Sequence, residues 1–586
     1  MRRKIFKSIQ LLFLSIIGIL ILSGCRGFIR ISETTCPWDI CPRERCTGIV
    51  KQQKAWTILV YLNADNDLGE FIANRFDKIQ NAASSKNVNI LVQFDGNQSN
   101  DSKRFYLKGN DKIGIIEHIV CKQNIEYDML NPETLAEFIA WGIKNFPSKR
   151  TAIIIAGHGM GILNIPKRSL RKIVSHLNLH PRPVDYFSYD RLWHHMDLQQ
   201  MVYQLTPVLK KYNHGEKIDL IAFDSCQMGN FETLMTLSPV ATYAIASEYP
   251  ITYKENVLKQ DDAYGLPIGN LIRNLSQYPD KNISETGKWV IKRFDHVYKN
   301  FGFYHSRSGQ TYYPESSLAL YDLSYSPMIK NYVKTMAEEL MDQADRKPEL
   351  FEALFIELLK SHAVCHPVGY LDLAHFAEMI YHVSGLKSAK TLLSQINNTN
   401  GFVLEKAIRH TASDPPPSGV SIFFPSSITA GQDYILQELY STYTEFKITK
   451  ETGLSHLLNN YLKAVERKRA QILTRIINEH VNLGIKFQFK PSEGKYDELY
   501  LFTIAEISLY PLLENGDYDT VKRYLKMITN SGYQSHYFEK HKKDILSHLQ
   551  RLKGKEMDFV HRAKLKELIN LIPDMKKGQD WNKINH

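Results

Sequence analysis

The sequence predicts an α/β fold with a mainly parallel sheet covered by helices on both faces, followed by an α-helical C-terminal region. Three observations support this prediction. Short, uninterrupted apolar runs rich in β-branched residues recur along roughly the first half of the chain, as is typical of strands buried on both faces. Amphipathic helical patterns separate these runs. From about residue 430 onward, the pattern becomes strongly helical.

The predicted elements follow in order along the chain. Five buried strands are expected at residues 56–62, 89–94, 151–156, 218–223 and 241–246. Between them, one helix is expected over 133–145 with Pro132 in its first turn, and another begins after Asp197. Two later strands are expected at 317–321 and 419–425, and a long basic amphipathic helix at 457–481. A helix, turn and helix are expected over 501–527.

Composition limits the class of protein. The chain has 586 residues, 43% of them hydrophobic and 23% charged, which describes a folded globular protein of two to four domains. These values exclude a disordered chain, a collagen-like chain and a polytopic membrane protein. The formal net charge is +11, but no basic stripe with interleaved aromatic residues occurs. The sequence therefore predicts no nucleic-acid partner.

Residues 1–24 resemble a bacterial lipoprotein signal peptide. Their apolar run, residues 11–22, is too short to span a bilayer comfortably, which takes about 20 residues. The exit sequence Leu22-Ser23-Gly24-Cys25 resembles a lipobox, and cleavage there would leave Cys25 as a lipidated N-terminus. An uncleaved anchor and an ordinary signal peptide are the alternatives. The run is preceded by four basic residues: Arg2, Arg3, Lys4 and Lys7.

Residues 25–55 are expected to form a polar tether between the lipid anchor and the folded part. Cys36, Cys41 and Cys46 lie close together in it, and a disulfide among them suits a location outside the cytoplasm. Three cysteines without a nearby histidine do not complete a tetrahedral zinc site, so no metal site is predicted.

Two of the predicted strands end in chemically reactive residues. Residues 156–161 (AGHGMG) place His158 just beyond one strand, and residues 223–229 (FDSCQMG) place Cys226 just beyond the next. The carboxyl ends of adjacent parallel strands meet at one edge of a sheet, where ligands bind. A thiolate is a strong nucleophile, and a nearby imidazole can activate it and then protonate the leaving group. Either motif alone is more often a buried small residue or a tight loop.

Five segments together resemble the clostripain family of cysteine peptidases, which shares a fold group with caspases, legumains and gingipains. The resemblance covers residues 56–425 and implies a caspase-like sheet. In the cysteine motif the family more often has Ala where this chain has Ser225. The matching segments are 56–68 (WTILVYLNADNDL), 157–159 (GHG), 224–228 (DSCQM), 246–248 (ASE) and 419–425 (GVSIFFP).

The resemblance implies a thiol endopeptidase with a His158–Cys226 dyad. The backbone N–H groups of Gly159 and Cys226 would hold the oxyanion. Asp224 would receive an Arg or Lys side chain of the substrate before the cut (the P1 side chain), although forming the turn at the strand end is an alternative role for it. Some relatives need Ca²⁺, so calcium is a possible cofactor. Cys25 is the expected lipidation site.

One departure from the family pattern weakens the specificity expectation. After residue 248 the family usually has a Pro-Gly-rich stretch with a tryptophan, whereas residues 249–255 here are YPITYKE. A same-fold peptidase with a non-basic P1 preference therefore remains open, as does a silent peptidase-like lipoprotein that binds a partner.

The leading prediction is a peptidase anchored in the cell envelope and acting on polypeptides, at the outer membrane or cell surface if the envelope has two membranes. Its domains would be 1–24, 25–55, 56–430 (the peptidase) and 431–586 (helical).

Overall fold

The computed structural model describes residues 53–482 and the short helical pieces 518–519 and 521–522. Within 53–482 it omits 67, 83–85, 99–100, 108–126, 160, 163–195, 252–264, 300–302, 306–309, 313–314, 361–368, 410–415 and 426–433. The signal peptide, the tether, and most of the expected helix-turn-helix over 501–527 therefore lie outside the described residues. So does every cysteine except Cys226.

A central sheet of eight strands dominates the described part of the chain. These strands are β1 (Lys54–Asn63), β2 (Val88–Asp95), β3 (Lys103–Leu107), β4 (Ser148–Ala156), β5 (Ile218–Asp224), β6 (Ala241–Ala246), β9 (Ser316–Asp322) and β11 (Val403–Arg409). In space the order is β11-β9-β6-β5-β4-β1-β2-β3. The five strands from β6 to β2 are parallel, and the outer three are antiparallel to their neighbours. The predicted α/β fold with a mainly parallel sheet is confirmed.

All five strands predicted in the first half are present, and so is the one predicted at 317–321. The late strand predicted at 419–425 is shorter and lies outside the central sheet. It is β12 (Ser421–Phe423), which pairs antiparallel with β10 (Tyr370–Asp372). A second two-stranded pair, β7 (Phe303–His305) and β8 (Gln310–Tyr312), forms a small antiparallel sheet that was not predicted.

The helices follow the predicted patterns where these were made. The described helices are α1 (Gly69–Ala82), α2 (Pro132–Asn145), α3 (Leu198–Tyr212), α4 (Phe231–Leu237), α5 (Ile268–Gln277), α6 (Ile283–Tyr298), α7 (Ser326–Arg346), α8 (Glu349–Lys360), α9 (Leu373–Ser384), α10 (Lys387–Ile396), α11 (Tyr434–Glu445), α12 (Lys447–Glu451) and α13 (Leu454–Asn482). The side chain of Asn131 accepts the Glu133 N–H to cap α2, and Asp197 accepts the Gln200 N–H to cap α3.

Apolar side chains project from both faces of the central sheet, because alternate residues of a strand point in opposite directions. In β1, Leu59 and Tyr61 enter one core, whereas Ile58, Val60 and Leu62 enter the other. The first core is covered by α2, α3, α4 and α7, and the second by α1, α5 and α6. Both cores are fully buried along β1, which is why this strand is almost entirely apolar.

The helices after residue 430 pack onto the same structure. Leu457, Leu458, Tyr461 and Val465 of α13 are buried in the first core, and the ring of Tyr461 lies 5.1 Å from that of Phe424. Among the described helices, none is both long enough and apolar enough to cross a membrane.

Candidate active site

The predicted nucleophile lies just beyond the carboxyl end of a central strand. β5 ends at Asp224, and Cys226 occupies the turn that follows. The next residue, Gln227, has a φ of 58°, a left-handed conformation that costs an L-residue roughly 1–2 kcal/mol. Its N–H donates to the carbonyl of Tyr249 at 3.1 Å. This hydrogen bond to the segment after β6 holds the turn in its strained shape.

The predicted catalytic histidine lies at the same edge of the sheet. β4 ends at Ala156, whose register partner on β5 is Asp224, and His158 follows two residues later. Because β4 and β5 are parallel neighbours, the loops that carry the imidazole and the thiol leave the sheet side by side.

Gly159 lies directly against the loop that carries Cys226. A Cβ atom placed on Gly159 would lie 2.3 Å from the carbonyl oxygen of Cys226 and 3.0 Å from its backbone nitrogen. No real Cβ tolerates the first distance, so only glycine fits here. The backbone segments that carry the two predicted oxyanion donors, Gly159 and Cys226, are therefore in direct contact.

The sulfur of Cys226 accepts a hydrogen bond from the segment that follows β6. The N–H of Ile251 donates to Sγ at 3.1 Å. Burial of the thiol raises its pKa to about 11, the Ile251 N–H opposes this rise, and the charge of Asp224 adds to it. The thiol is therefore protonated at neutral pH in this conformation, and a base must remove its proton before it can attack a carbonyl carbon.

A serine of the neighbouring strand holds this covering segment in place. The Ser317 hydroxyl on β9 lies 3.0 Å from that of Ser247 and accepts the N–H groups of Glu248 and Tyr249 at 3.1 and 3.2 Å. The Gly229 N–H also donates to the Ser247 carbonyl at 2.8 Å. Hydrogen bonds thus tie the segment both to the sheet and to the turn that carries Cys226.

A small cavity of about 70 Å³ lies beside His158. This volume suits a few water molecules rather than a long side chain. Its described lining consists of apolar and uncharged polar side chains, together with His158. The apolar part includes Tyr61, Ile155, Met201, Phe223 and Met228.

Asp224 lies on the other face of the sheet, in a buried ion pair. Its Oδ2 is 2.8 Å from Nε of Arg75 on α1, and its Oδ1 accepts the N–H of Leu266 at 2.8 Å. Only 1% of the Asp224 side chain is exposed. The carboxylate predicted to receive a substrate cation is thus already partnered by a cation of the chain itself.

Within the described residues, no group of three or more His, Cys, Asp or Glu side chains is arranged to hold a metal ion. The Asp-Asn-Asp turn after β1 is described only in part, since residue 67 is omitted.

A sequence profile of the clostripain family matches residues 60–459, well over half of the chain. The chain belongs to the clostripain family. It is 22% identical to clostripain of Hathewaya histolytica over 449 residues, which cover 67% of this chain and 77% of that protein.

Solved structures of other proteases are also similar to this chain. An inactive zymogen protease from Parabacteroides distasonis is 16% identical with a TM-score of 0.47, covering 69% of this chain and 99% of that one. The secreted cysteine protease iotapain from Bacteroides thetaiotaomicron is 17% identical with a TM-score of 0.47, covering 68% and 100%. As a member of the clostripain family, the chain is a cysteine peptidase.

Sequence reasoning missed several residues that shape this clostripain-family site. Arg75 was not predicted as the partner of Asp224, nor Ile251 as the residue that covers Cys226. Asn230 was missed as well: its amide donates to the Gln227 carbonyl at 2.7 Å, and its side-chain oxygen caps α4 by accepting the Thr233 N–H. A signal for Arg75 exists, because it lies within a helical stripe of buried residues that includes Ile72, Phe76 and Ile79.

Gly159→Ala should inactivate the peptidase without unfolding it. The added methyl group would collide with the Cys226 carbonyl and push the two loops apart, so we expect kcat/KM to fall by at least about 10²-fold. Thermal unfolding monitored by circular dichroism should show the fold intact. Gly401→Ala, whose Cβ would come no closer than 3.2 Å to its neighbours, is the control. Full activity in Gly159→Ala would refute the close approach.

The enclosed thiol predicts a distinctive pH dependence of alkylation. With a pKa of about 11, Cys226 of the native chain should react slowly with iodoacetamide at pH 7.5, and its rate should keep rising up to about pH 11. Mass spectrometry of the Cys226 peptide measures this rate. In urea the same cysteine should titrate near pH 8.5. A fast, pH-independent rate in the native protein would show that the thiolate already exists.

Proposed function

We propose that this cysteine peptidase is an endopeptidase of the cell envelope, tethered to a membrane through lipidated Cys25 and acting through a His158–Cys226 dyad. The observation that carries the proposal is the juxtaposition of the two loops, with Gly159 packed against the backbone of Cys226. The substrates would be polypeptides outside the cytoplasm.

The chemistry follows from the two side chains. The imidazole of His158 accepts the proton of the Cys226 thiol, and the thiolate attacks the scissile carbonyl carbon. The carbonyl electron pair moves onto oxygen, where the N–H groups of Gly159 and Cys226 stabilise the negative charge. As the C–N bond breaks, His158 gives its proton to the departing amine. His158 then takes a proton from water, which attacks the thioester, releases the acid and restores the thiol.

The segment that follows β6 affects how readily the thiol of Cys226 ionises. Ile251 covers the sulfur, and a thiol with a pKa of about 11 gives very little thiolate at neutral pH. We expect the segment from Ser247 to Ile251 to shift away from Cys226 when substrate binds. A shift would lower the thiol pKa, because desolvation is its largest cause.

The family resemblance also implies a basic P1 side chain received by Asp224. In this chain Asp224 is paired with Arg75, which argues for the alternative of a non-basic P1 preference.

The dyad predicts which variants lose activity. The detergent-solubilised full chain should cleave some members of a fluorogenic peptide set that differ at P1, in a thiol-dependent way. Cys226→Ala and His158→Ala should each lower kcat/KM by at least about 10³-fold. Ser225→Ala, which removes the hydroxyl beside the nucleophile, is the matched control and should stay active.

The same assay includes a control for a chain that becomes active only after it has been cut by another protease. A second sample is treated with immobilised thermolysin, which is then removed, so that a covered site can open. Absence of Cys226-dependent turnover in both samples would refute the endopeptidase and favour a silent, partner-binding lipoprotein.

The lipid anchor predicts a separate result. When the chain is expressed in a bacterial host with labelled palmitate, label should enter the protein and the protein should sediment with membranes. Cys25→Ala should lose both properties, whereas Cys36→Ala in the tether should keep them. Label that persists in Cys25→Ala would place the lipid elsewhere or identify the leader as an ordinary signal peptide.

A further inference from the structure

Both loops of the proposed dyad contribute to the cavity beside His158. Its volume is about 70 Å³, and its lining includes His158 and Gly159 from the loop after β4. The lining also includes Phe223 of β5 and Met228, which lie on either side of Cys226 in the chain. The cavity therefore lies at the same edge of the sheet as the predicted imidazole and thiol.

The inner wall of this cavity is apolar and belongs to the first core. Tyr61, Met129 and Met201 are only 1%, 3% and 3% exposed. The Tyr61 hydroxyl donates to the Met129 carbonyl at 2.9 Å, which joins β1 to the segment before α2. Met196 and Met228 are only partly buried and therefore lie nearer the surface. Methionine side chains are flexible and polarisable, so such a wall can adapt to a small apolar group.

The described lining offers no carboxylate to a cationic substrate side chain. It contains His158 but no Asp, Glu, Lys or Arg, and its amide side chains are those of Asn63 and Asn66. The Asn66 amide already donates to the Asn63 carbonyl at 3.0 Å, and its oxygen accepts the Leu68 N–H at 2.9 Å. An ammonium group that entered this cavity would lose its hydration without gaining an ionic partner, which is unfavourable.

The chemistry of the dyad determines which part of the substrate lies beside His158. As the C–N bond breaks, the imidazole gives its proton to the departing nitrogen, which must then lie about 3 Å away. That nitrogen belongs to the residue after the cut (the P1′ residue), and its α-carbon carries the P1′ side chain. The P1′ side chain therefore begins next to the imidazole, and the cavity that the imidazole lines is adjacent to it.

We infer that this cavity receives the P1′ side chain and makes the peptidase prefer a short apolar residue, such as Ala or Val, directly after the cut. The inference rests on the proposed endopeptidase function. A volume of about 70 Å³ accepts a few carbon atoms but not an indole ring. The apolar wall favours such a group, whereas a lysine side chain meets no opposite charge there. Met196, at the partly buried side of the cavity, is then a specificity-determining residue.

Internally quenched peptides that differ only at P1′ test this preference. They carry the P1 residue that the fluorogenic set shows to be cleaved fastest, and mass spectrometry of the products confirms the position of the cut. For the full chain, treated with thermolysin where that is needed for activity, kcat/KM for P1′ Ala and Val should exceed kcat/KM for P1′ Lys and Trp by about tenfold or more. A smaller ratio or the reverse preference would overturn the inference.

Charged variants of Met196 then assign the preference to the cavity. Met196→Glu adds a carboxylate, so the Lys-to-Ala ratio of kcat/KM at P1′ should rise by about tenfold, whereas Met196→Lys should not raise it. Tyr203→Glu adds the same negative charge to α3 at a side chain that is 71% exposed and outside the cavity, and should leave the ratio unchanged. A ratio compares two substrates of one variant, so an overall loss of activity does not affect it.

Each outcome of these experiments has a distinct meaning. An unchanged ratio in folded Met196→Glu would remove the cavity from its role, and if that variant does not fold, the peptide set with the unmodified chain still decides the preference. Cys226-dependent cleavage without the expected P1′ preference leaves the endopeptidase intact and refutes only the inference. If no peptide of either set is cleaved in a Cys226-dependent way, the endopeptidase function is refuted and the P1′ preference with it.

Discussion

The parallel pairing of β4 with β5 is the constraint on which the rest of the site depends. It brings the ends of two strands to one edge of the sheet, with Ala156 opposite Asp224. Only a glycine at position 159 then allows the two loops to touch, because any Cβ would collide with the backbone of Cys226. A slip of one residue in this register would turn the side chains of a strand to the opposite face. The backbone positions of His158 and Cys226 relative to each other are thus fixed by the strand register and by the close approach of Gly159.

The same edge of the sheet sets the pKa of the Cys226 thiol. The Cys226 thiol accepts one neutral N–H donor, which favours its ionised form only weakly. Burial has the larger effect and raises the pKa of the thiol. The segment after β6 that contacts Cys226 is held in place by Ser317 on β9. The Ser317 hydroxyl accepts two N–H groups of this segment and lies within hydrogen-bonding distance of Ser247. The hydrogen bonds around Ser317 therefore help to fix the segment whose Ile251 N–H donates to the sulfur of Cys226.

Sequence predicted those parts of the molecule whose signals are local. Continuous apolar runs identified β1 and its parallel neighbours, and Asp197 marked the start of α3. The edge strands β3 and β11 were missed because they carry charged residues such as Lys103 and Glu405, which lack the pattern of a buried strand. The pairing of Arg75 with Asp224 joins residues far apart in the chain, so no local pattern specifies it.

The thiol of Cys226 and the Asp224–Arg75 ion pair each contact a different part of the chain that follows β6. Ile251 lies at one end, with its N–H on the sulfur of Cys226, and Gly265 lies at the other, packed against Asp224 and Arg75. Cys226 and Asp224 are themselves only two residues apart. Cys226 and Asp224 therefore each contact a described residue of the chain that follows β6.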